Sequence, residues 1–126
     1  MSASYIIVDV KVTDPERYDQ YKALAPAAVA AAGGEFVVRG GKHATLEGNW
    51  RPTRLVVLRF PSYEQARAFY DSTLYEQARE QRAGATEFFN MVVVELPAPP
   101  SVPHGANRRT VAAHAAKRVI LNARTE

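Results

Sequence analysis

The chain of 126 residues contains no cysteine, which excludes disulfides, thiolate metal sites and thiol catalysis. No segment approaches the roughly 18 consecutive apolar residues of a membrane-spanning helix. Met1-Ser2-Ala3-Ser4 leads directly into a strand-like run, without the basic region and apolar stretch of a secretory signal. The chain therefore reads as soluble, unexported and cytoplasmic, with no membrane partner. Nucleotide motifs are missing too. There is no P-loop, and Gly33-Gly34 and Gly40-Gly41 have the wrong spacing and setting for a dinucleotide fingerprint. No serine sits on a nucleophile elbow. The histidines are His43, His104 and His114, and the last two are too far apart for a helical metal pair. No metal and no cofactor is expected.

What remains is an ordinary globular composition, long enough for one domain with its own core. The pI of about 9.4 invites a nucleic-acid reading, but the charge is unevenly placed. Residues 1–95 carry 11 Lys and Arg against 12 Asp and Glu, a net of −1. Residues 96–126 carry Arg108, Arg109, Lys117, Arg118 and Arg124 against Glu126, a net of +4. The basic character belongs to a tail, and a near-neutral body offers no phosphate-tracking surface. The composition argues against a nucleic-acid partner.

Tyr5 to Val12 alternates with the period of two of a strand. Asp14-Pro15-Glu16 is a helix start, with Asp14 as N-cap and Pro15 in the first turn. Tyr18, Tyr21, Leu24, Ala25, Ala28 and Val29 follow at helical spacing. Pro26 removes a backbone donor, which predicts a kink or restart near Ala25, and Gly33-Gly34 ends the helix. Glu35 to Arg39 is a short strand stopped by Gly40-Gly41, and residues 43–54 form a loop or bent strand. Arg54 to Phe60 is the third strand. Ser62 and Gln65 form a capping box for a second helix; Ser72 caps a further helical stretch to about Gly84. Glu87 to Glu95 is the last strand. Beyond it lies a proline-rich linker and then residues 107–123, alanine-rich and able to form a short helix.

The order β-α-β-β-α-β predicts an α+β, ferredoxin-like sandwich: a four-stranded antiparallel sheet with its helices on one face. Such a sheet should be polar toward water. Here Leu55-Val56-Val57-Leu58 does not alternate, and the last strand is apolar on both sides. Both faces should be covered. The expected cover for the second is another copy, giving a homodimeric α/β barrel; the tail folding back over the sheet is the other solution.

Particular residues also resemble a known family. Asp14-Pro15, Tyr18, Tyr21, Pro26, Gly33-Gly34, Val38-Arg39-Gly40-Gly41 and Leu46-Glu47-Gly48-Asn49-Trp50 occur in one order. They continue with Pro52, Arg54 to Ser62, Ala66, Phe69-Tyr70, Ser72 and Tyr75. Together they resemble the DUF1330 family over about residues 3–95, which leaves 96–126 as an appended tail. The resemblance implies a small dimeric α/β-barrel protein without a settled function. Arg59 departs from the pattern, since a carboxylate or apolar residue commonly precedes that Phe-Pro-Ser.

Several residues suggest a site. Asp9, Arg59 and Asn90 break apolar strands. They either floor a cavity inside the barrel or satisfy one another, as an Asp9–Arg59 pair would. Arg39, at a strand end beside two glycines, is placed to hold a carboxylate in bidentate fashion, or else to pair with Glu47 or Glu35. Tyr21, Trp50, Tyr70 and Tyr75 offer pocket walls with polar handles, or are simply core. Tyr75, Arg79 and Arg82 share one helix face. His43, near Glu47, is the one candidate general base inside the domain. The expected function is a homodimer binding an unknown small anionic or aromatic metabolite between sheet and helices, beneath the His43–Trp50 loop. Any chemistry there would be cofactor-free, with His43 or Glu47 moving the proton. The alternative is a non-catalytic binding or assembly module with a packed barrel and a partner-recruiting tail.

Overall fold

The computed structural model describes residues 2–98. The linker beyond Ala98 and the basic tail lie outside the described residues. Four strands, β1 (Ser4–Val12), β2 (Glu35–Arg39), β3 (Leu55–Phe60) and β4 (Thr86–Glu95), form one antiparallel sheet in the order β2-β3-β1-β4. Three helices, α1 (Pro15–Ala31), α2 (Tyr63–Asp71) and α3 (Thr73–Arg82), complete the fold. The helices pack on the side of β1 that carries Ile6, Val8 and Val10. Their residues Tyr18, Tyr21, Ala28, Phe69 and Tyr75 share one core with those strand positions.

The helix ends follow from local chemistry. Asp14 Oδ1 accepts from the Arg17 N–H at 3.1 Å, satisfying one of the orphan donors of the first turn. Ser62 and Ser72 do the same for α2 and α3, accepting from the N–H groups of Gln65 and Tyr75. The second cap breaks what would have been one long helix and redirects it. Phe69 on one side of the break and Tyr75 on the other then face the same core, their ring centroids 4.3 Å apart. Pro26 does not restart α1, which runs unbroken from Pro15 to Ala31. A proline inside a helix costs about 3 kcal/mol, through the missing hydrogen bond and the clash of its ring with the preceding turn. Burial of Tyr21 and Ala25 before the proline, and of Ala28 and Val29 after it, holds both halves to one sheet.

At the end of α1 the chain reverses through Gly33, which sits at φ +79°, where only glycine is comfortable. The Gly34 N–H returns to the Val29 carbonyl at 2.9 Å. The far face of the sheet is apolar, as the strand pattern required. Tyr5, Ile7, Leu55, Val57 and Phe88 are half-buried there, whereas Val92 is 59% and Val94 44% exposed.

Gly34 also lies against the Phe60 ring, where an added Cβ would come within 2.8 Å of Cδ1. Because Phe60 is fully buried, the ring has little room to retreat. Gly34→Ala is expected to lower the unfolding free energy by about 1–3 kcal/mol, the usual cost of overpacking. Urea denaturation should show a lower midpoint with an unchanged slope; an unaltered midpoint would contradict this packing.

Candidate functional site

Between α1, α3 and the helix-facing side of the sheet lies a cavity of about 30 Å³, room for on the order of one or two waters. Its sheet wall is Val8, Val56 and Met91, and its helix wall is Tyr18, Tyr21 and Tyr75. The Tyr21 and Tyr75 hydroxyls are 2.8 Å apart and buried. Burial, reinforced by the neighbouring Tyr75, pushes the Tyr21 phenol far above its ordinary pKa. Tyr21 therefore stays protonated and is not a base. Burial raises Tyr18 as well, while the charges of Arg54, Arg82 and Arg39 pull it back.

The mouth of the cavity is basic. Lys22 of α1, Arg39 at the end of β2 and Arg54 just before β3 line it, and no Asp, Glu or His does. Local structure explains why the two arginines meet. Gly40 follows Arg39, takes φ +71° and donates its N–H to the Leu55 carbonyl at 2.8 Å. This brings the chain after β2 alongside Arg54. A Cβ at Gly40 would stand 2.6 Å from Arg54 Cζ, so the bare glycine leaves the space that the guanidinium fills. Arg39 lies over the Phe36 ring, 4.4 Å from its centroid.

Asp9 directs the other face. It alternates with Val8 and Val10, which point to the helices, so its carboxylate points away from them. Only 6% exposed, it accepts from the Trp50 indole at 3.0 Å and the Thr53 N–H at 2.9 Å. The long β2–β3 connection is thereby tied to the open face of the sheet. It does not roof the helix–sheet cavity, as the sequence led us to expect; only its two ends, at Gly40 and Arg54, reach the mouth. Nor does an Asp9–Arg59 pair form, because the register sets Asp9 opposite Leu55 and Arg59 opposite Tyr5, four residues further along the strands.

The residues singled out from sequence are therefore divided. Tyr21, Arg39 and Tyr75 line one cavity. Trp50 belongs to the opposite face. So does Arg59, exposed on β3 between the inward Leu58 and Phe60. Tyr70 of α2 lies outside this cavity, its ring 5.8 Å from that of Tyr75 and its hydroxyl accepting from Arg79 Nη1 at 3.1 Å. Glu47 is exposed in the loop, with no salt bridge to a described residue. His43 uses both ring nitrogens locally, Nε2 with the Pro52 carbonyl at 2.9 Å and Nδ1 with that of Gly41 at 3.2 Å. Both nitrogens are thus turned toward loop carbonyls and away from the helix–sheet cavity, which His43 does not line. Arg39 pairs with neither Glu35 nor Glu47. Sequence reasoning missed Tyr18, Lys22 and Arg54. The signal for Arg54 was available: an arginine opening β3 must neighbour the end of β2 in an antiparallel hairpin. Among the described residues, no three His, Asp or Glu side chains stand together as metal ligands would.

This architecture defines a ferredoxin-like α+β protein. The sequence matches DUF1330, a domain of unknown function, over residues 3–97, and the chain belongs to that family. A protein of unknown function from Rhodopseudomonas palustris superposes with a TM-score of 0.63 at 16% identity, covering 78% of this chain and 85% of its own. A dimeric, ferredoxin-like protein of unknown function from Bacteroides fragilis gives 0.53 at 15% identity, covering 76% of this chain and 98% of its own. A putative antibiotic biosynthesis monooxygenase from Nitrosomonas europaea gives 0.50 at 17% identity, covering 79% and 95%. At these identities the likeness is one of fold. No protein of curated function matches the chain, and no helix among the described residues is long and apolar enough to cross a membrane.

The loop itself carries a pH dependence. Hydrogen bonds to the Pro52 and then the Gly41 carbonyl hold His43 above its ordinary pKa of 6.5. Both bonds need the imidazolium, since a neutral ring has one N–H. The tie across the loop is thus complete below the ordinary pKa, and one bond is lost as pH rises through the elevated folded-state value. An NMR titration should place the His43 midpoint above 6.5, with the Trp50 indole N–H shifting alongside it. A midpoint at or below the ordinary value would contradict the geometry.

Proposed function

We propose that the protein is a homodimer that binds a small anion at the mouth of the helix–sheet cavity, as a binding protein and not an acid–base enzyme. The observation that carries this reading is the mouth itself: Lys22, Arg39 and Arg54 converge with no acidic side chain in the lining. Lys22 and Arg39 are exposed and Arg54 half-buried, so an incoming anion can reach them, and an arginine fork suits a carboxylate or phosphate. The small interior argues that the anion sits at the mouth. The titratable lining is Tyr, Lys and Arg, which supplies donors and cations but no base at neutral pH. A reaction led by His43 or Glu47 draws no support from the cavity, since neither lines it.

The dimer is supported by the apolar open face, which carries Ile7, Val57, Val92 and Val94. Isolated monomers rarely leave such a surface wet. The neighbours from Bacteroides fragilis and Thermobifida fusca are themselves described as dimeric. Each partner would bring its own cavity, because cavity and open face lie on opposite sides of the sheet.

Two experiments test the two halves. Thermal unfolding at constant ionic strength, with and without sulfate, should show stabilisation of the wild type by mass action. The Arg39→Ala/Arg54→Ala double variant should lose that shift. An equal shift in both proteins would remove the site from the mouth. For assembly, sedimentation velocity should give a dimer of the 13.9 kDa chain, and Val92→Glu should give a folded monomer. A wild-type monomer would refute the pairing.

A further inference from the structure

The charge around the Tyr18 hydroxyl is out of balance. Arg39 and Arg54 approach it from the cavity mouth, and Arg82 acts on it as a third nearby cation. Arg82 comes from the end of α3. Its guanidinium lies 3.6 Å from the Phe89 ring centroid and 5.3 Å from that of Tyr21, both wall residues. Against these three guanidiniums stands no carboxylate. The described salt bridges are Lys11–Glu87 and Lys22–Asp19, and neither involves these arginines.

Two further atoms are unsatisfied in the same place. The Nε–H groups of Arg54 and Arg82 are buried without a hydrogen-bond partner, although buried donors are paired in the great majority of cases. Tyr18 is 5% exposed and lines the cavity, yet its hydroxyl hydrogen-bonds to no described residue. Tyr18, Arg39 and Arg54 line one small cavity, and Arg82 stands on two of its wall residues, Tyr21 and Phe89, so α1, β2, the start of β3 and α3 bring three positive charges around it. A single negative charge would neutralise one of them.

Resting on the reading of the mouth as an anion site, we propose that its ligand is a compact dianion of the phosphate type, held by Arg39, Arg54 and Arg82 with Tyr18 as the fourth donor. Three guanidiniums gathered around so small a cavity favour charge concentrated on a single tetrahedral centre over charge spread along a chain. It also gives Arg82 a binding role, through a fork that the stacking on Phe89 keeps pre-aimed. Free phosphate and the phosphate head of a monoester share this chemistry.

Isothermal titration of the full chain at pH 8, where phosphate is mostly dianionic, should find inorganic phosphate binding roughly tenfold or more tighter than acetate, a difference of about 1.4 kcal/mol or more. Arg82→Gln should abolish that preference, weakening phosphate binding roughly tenfold or more; Arg82→Lys, which keeps the charge and loses the fork, should fall between. Methyl phosphate then separates the sources. Binding at least as tight as phosphate assigns a monoester, and weaker binding assigns the free ion. Acetate binding as tightly as phosphate would overturn the dianion while leaving an anion site intact. Binding of neither, in wild type and Arg82→Lys alike, would overturn the site itself.

Discussion

Among the described residues the Asp9 carboxylate is the one buried acid, and its need for donors arranges much of what surrounds it. It sits on β1, a central strand, between two valines that face the helices. It must therefore find partners on the other side of the sheet. The Trp50 indole and the Thr53 N–H meet that need, and both lie in the long connection between β2 and β3. An ionised carboxylate accepting two such bonds gains about 1.5–3 kcal/mol from each, enough to hold a connection with few apolar contacts. Because Asp9 draws the connection to the open face, the helix–sheet cavity is left without a lid.

The consequence appears at the cavity mouth. With the body of the loop on the far side, only its ends approach the helices, and those ends carry Arg39 and Arg54. The conformation at Gly40 sets them side by side, and Lys22 of α1 stands across the opening. Arginine and lysine in such a place normally close on a neighbouring Asp or Glu. Here the cavity lining contains none, and the aromatic faces of Phe36 and Phe89 take the guanidinium planes instead. Stacking orients a guanidinium but leaves its charge and its N–H donors available. A set of oriented, uncompensated cations beside a phenol that stays protonated is suited to holding an anion and poorly suited to removing a proton.

Much of the fold was legible in the sequence because its signals are local. Asp14-Pro15, Ser62 and Ser72 mark helix starts through side chains that reach only three residues along the chain. Gly33 marks an end through its own backbone freedom, and the alternation of β1 fixes which residues face the helices. The site was legible only in part, for the complementary reason. Arg39, Tyr21 and Tyr75 could be singled out by residue type, but Lys22, Arg54 and Arg82 come together only through the tertiary fold. Tyr18 is indistinguishable in sequence from a core aromatic at helical spacing. The face chosen by the Trp50 loop was also hidden, since the partner of Asp9 lies 41 residues away. Pro26 shows the reverse case, a strong local signal overruled by packing on both sides of it.

Whether Arg39, Arg54 and Arg82 share one bound anion can be read from the NMR signals of their side chains. Each arginine Nε–H gives its own resonance, so a phosphate titration reports which guanidiniums contact the ion. The account predicts that the signals of Arg39, Arg54 and Arg82 shift together and saturate with one dissociation constant, while those of Arg59 and Arg67, both remote from the cavity, stay in place. Shifts of similar size at all five would mean diffuse surface binding and would contradict the account.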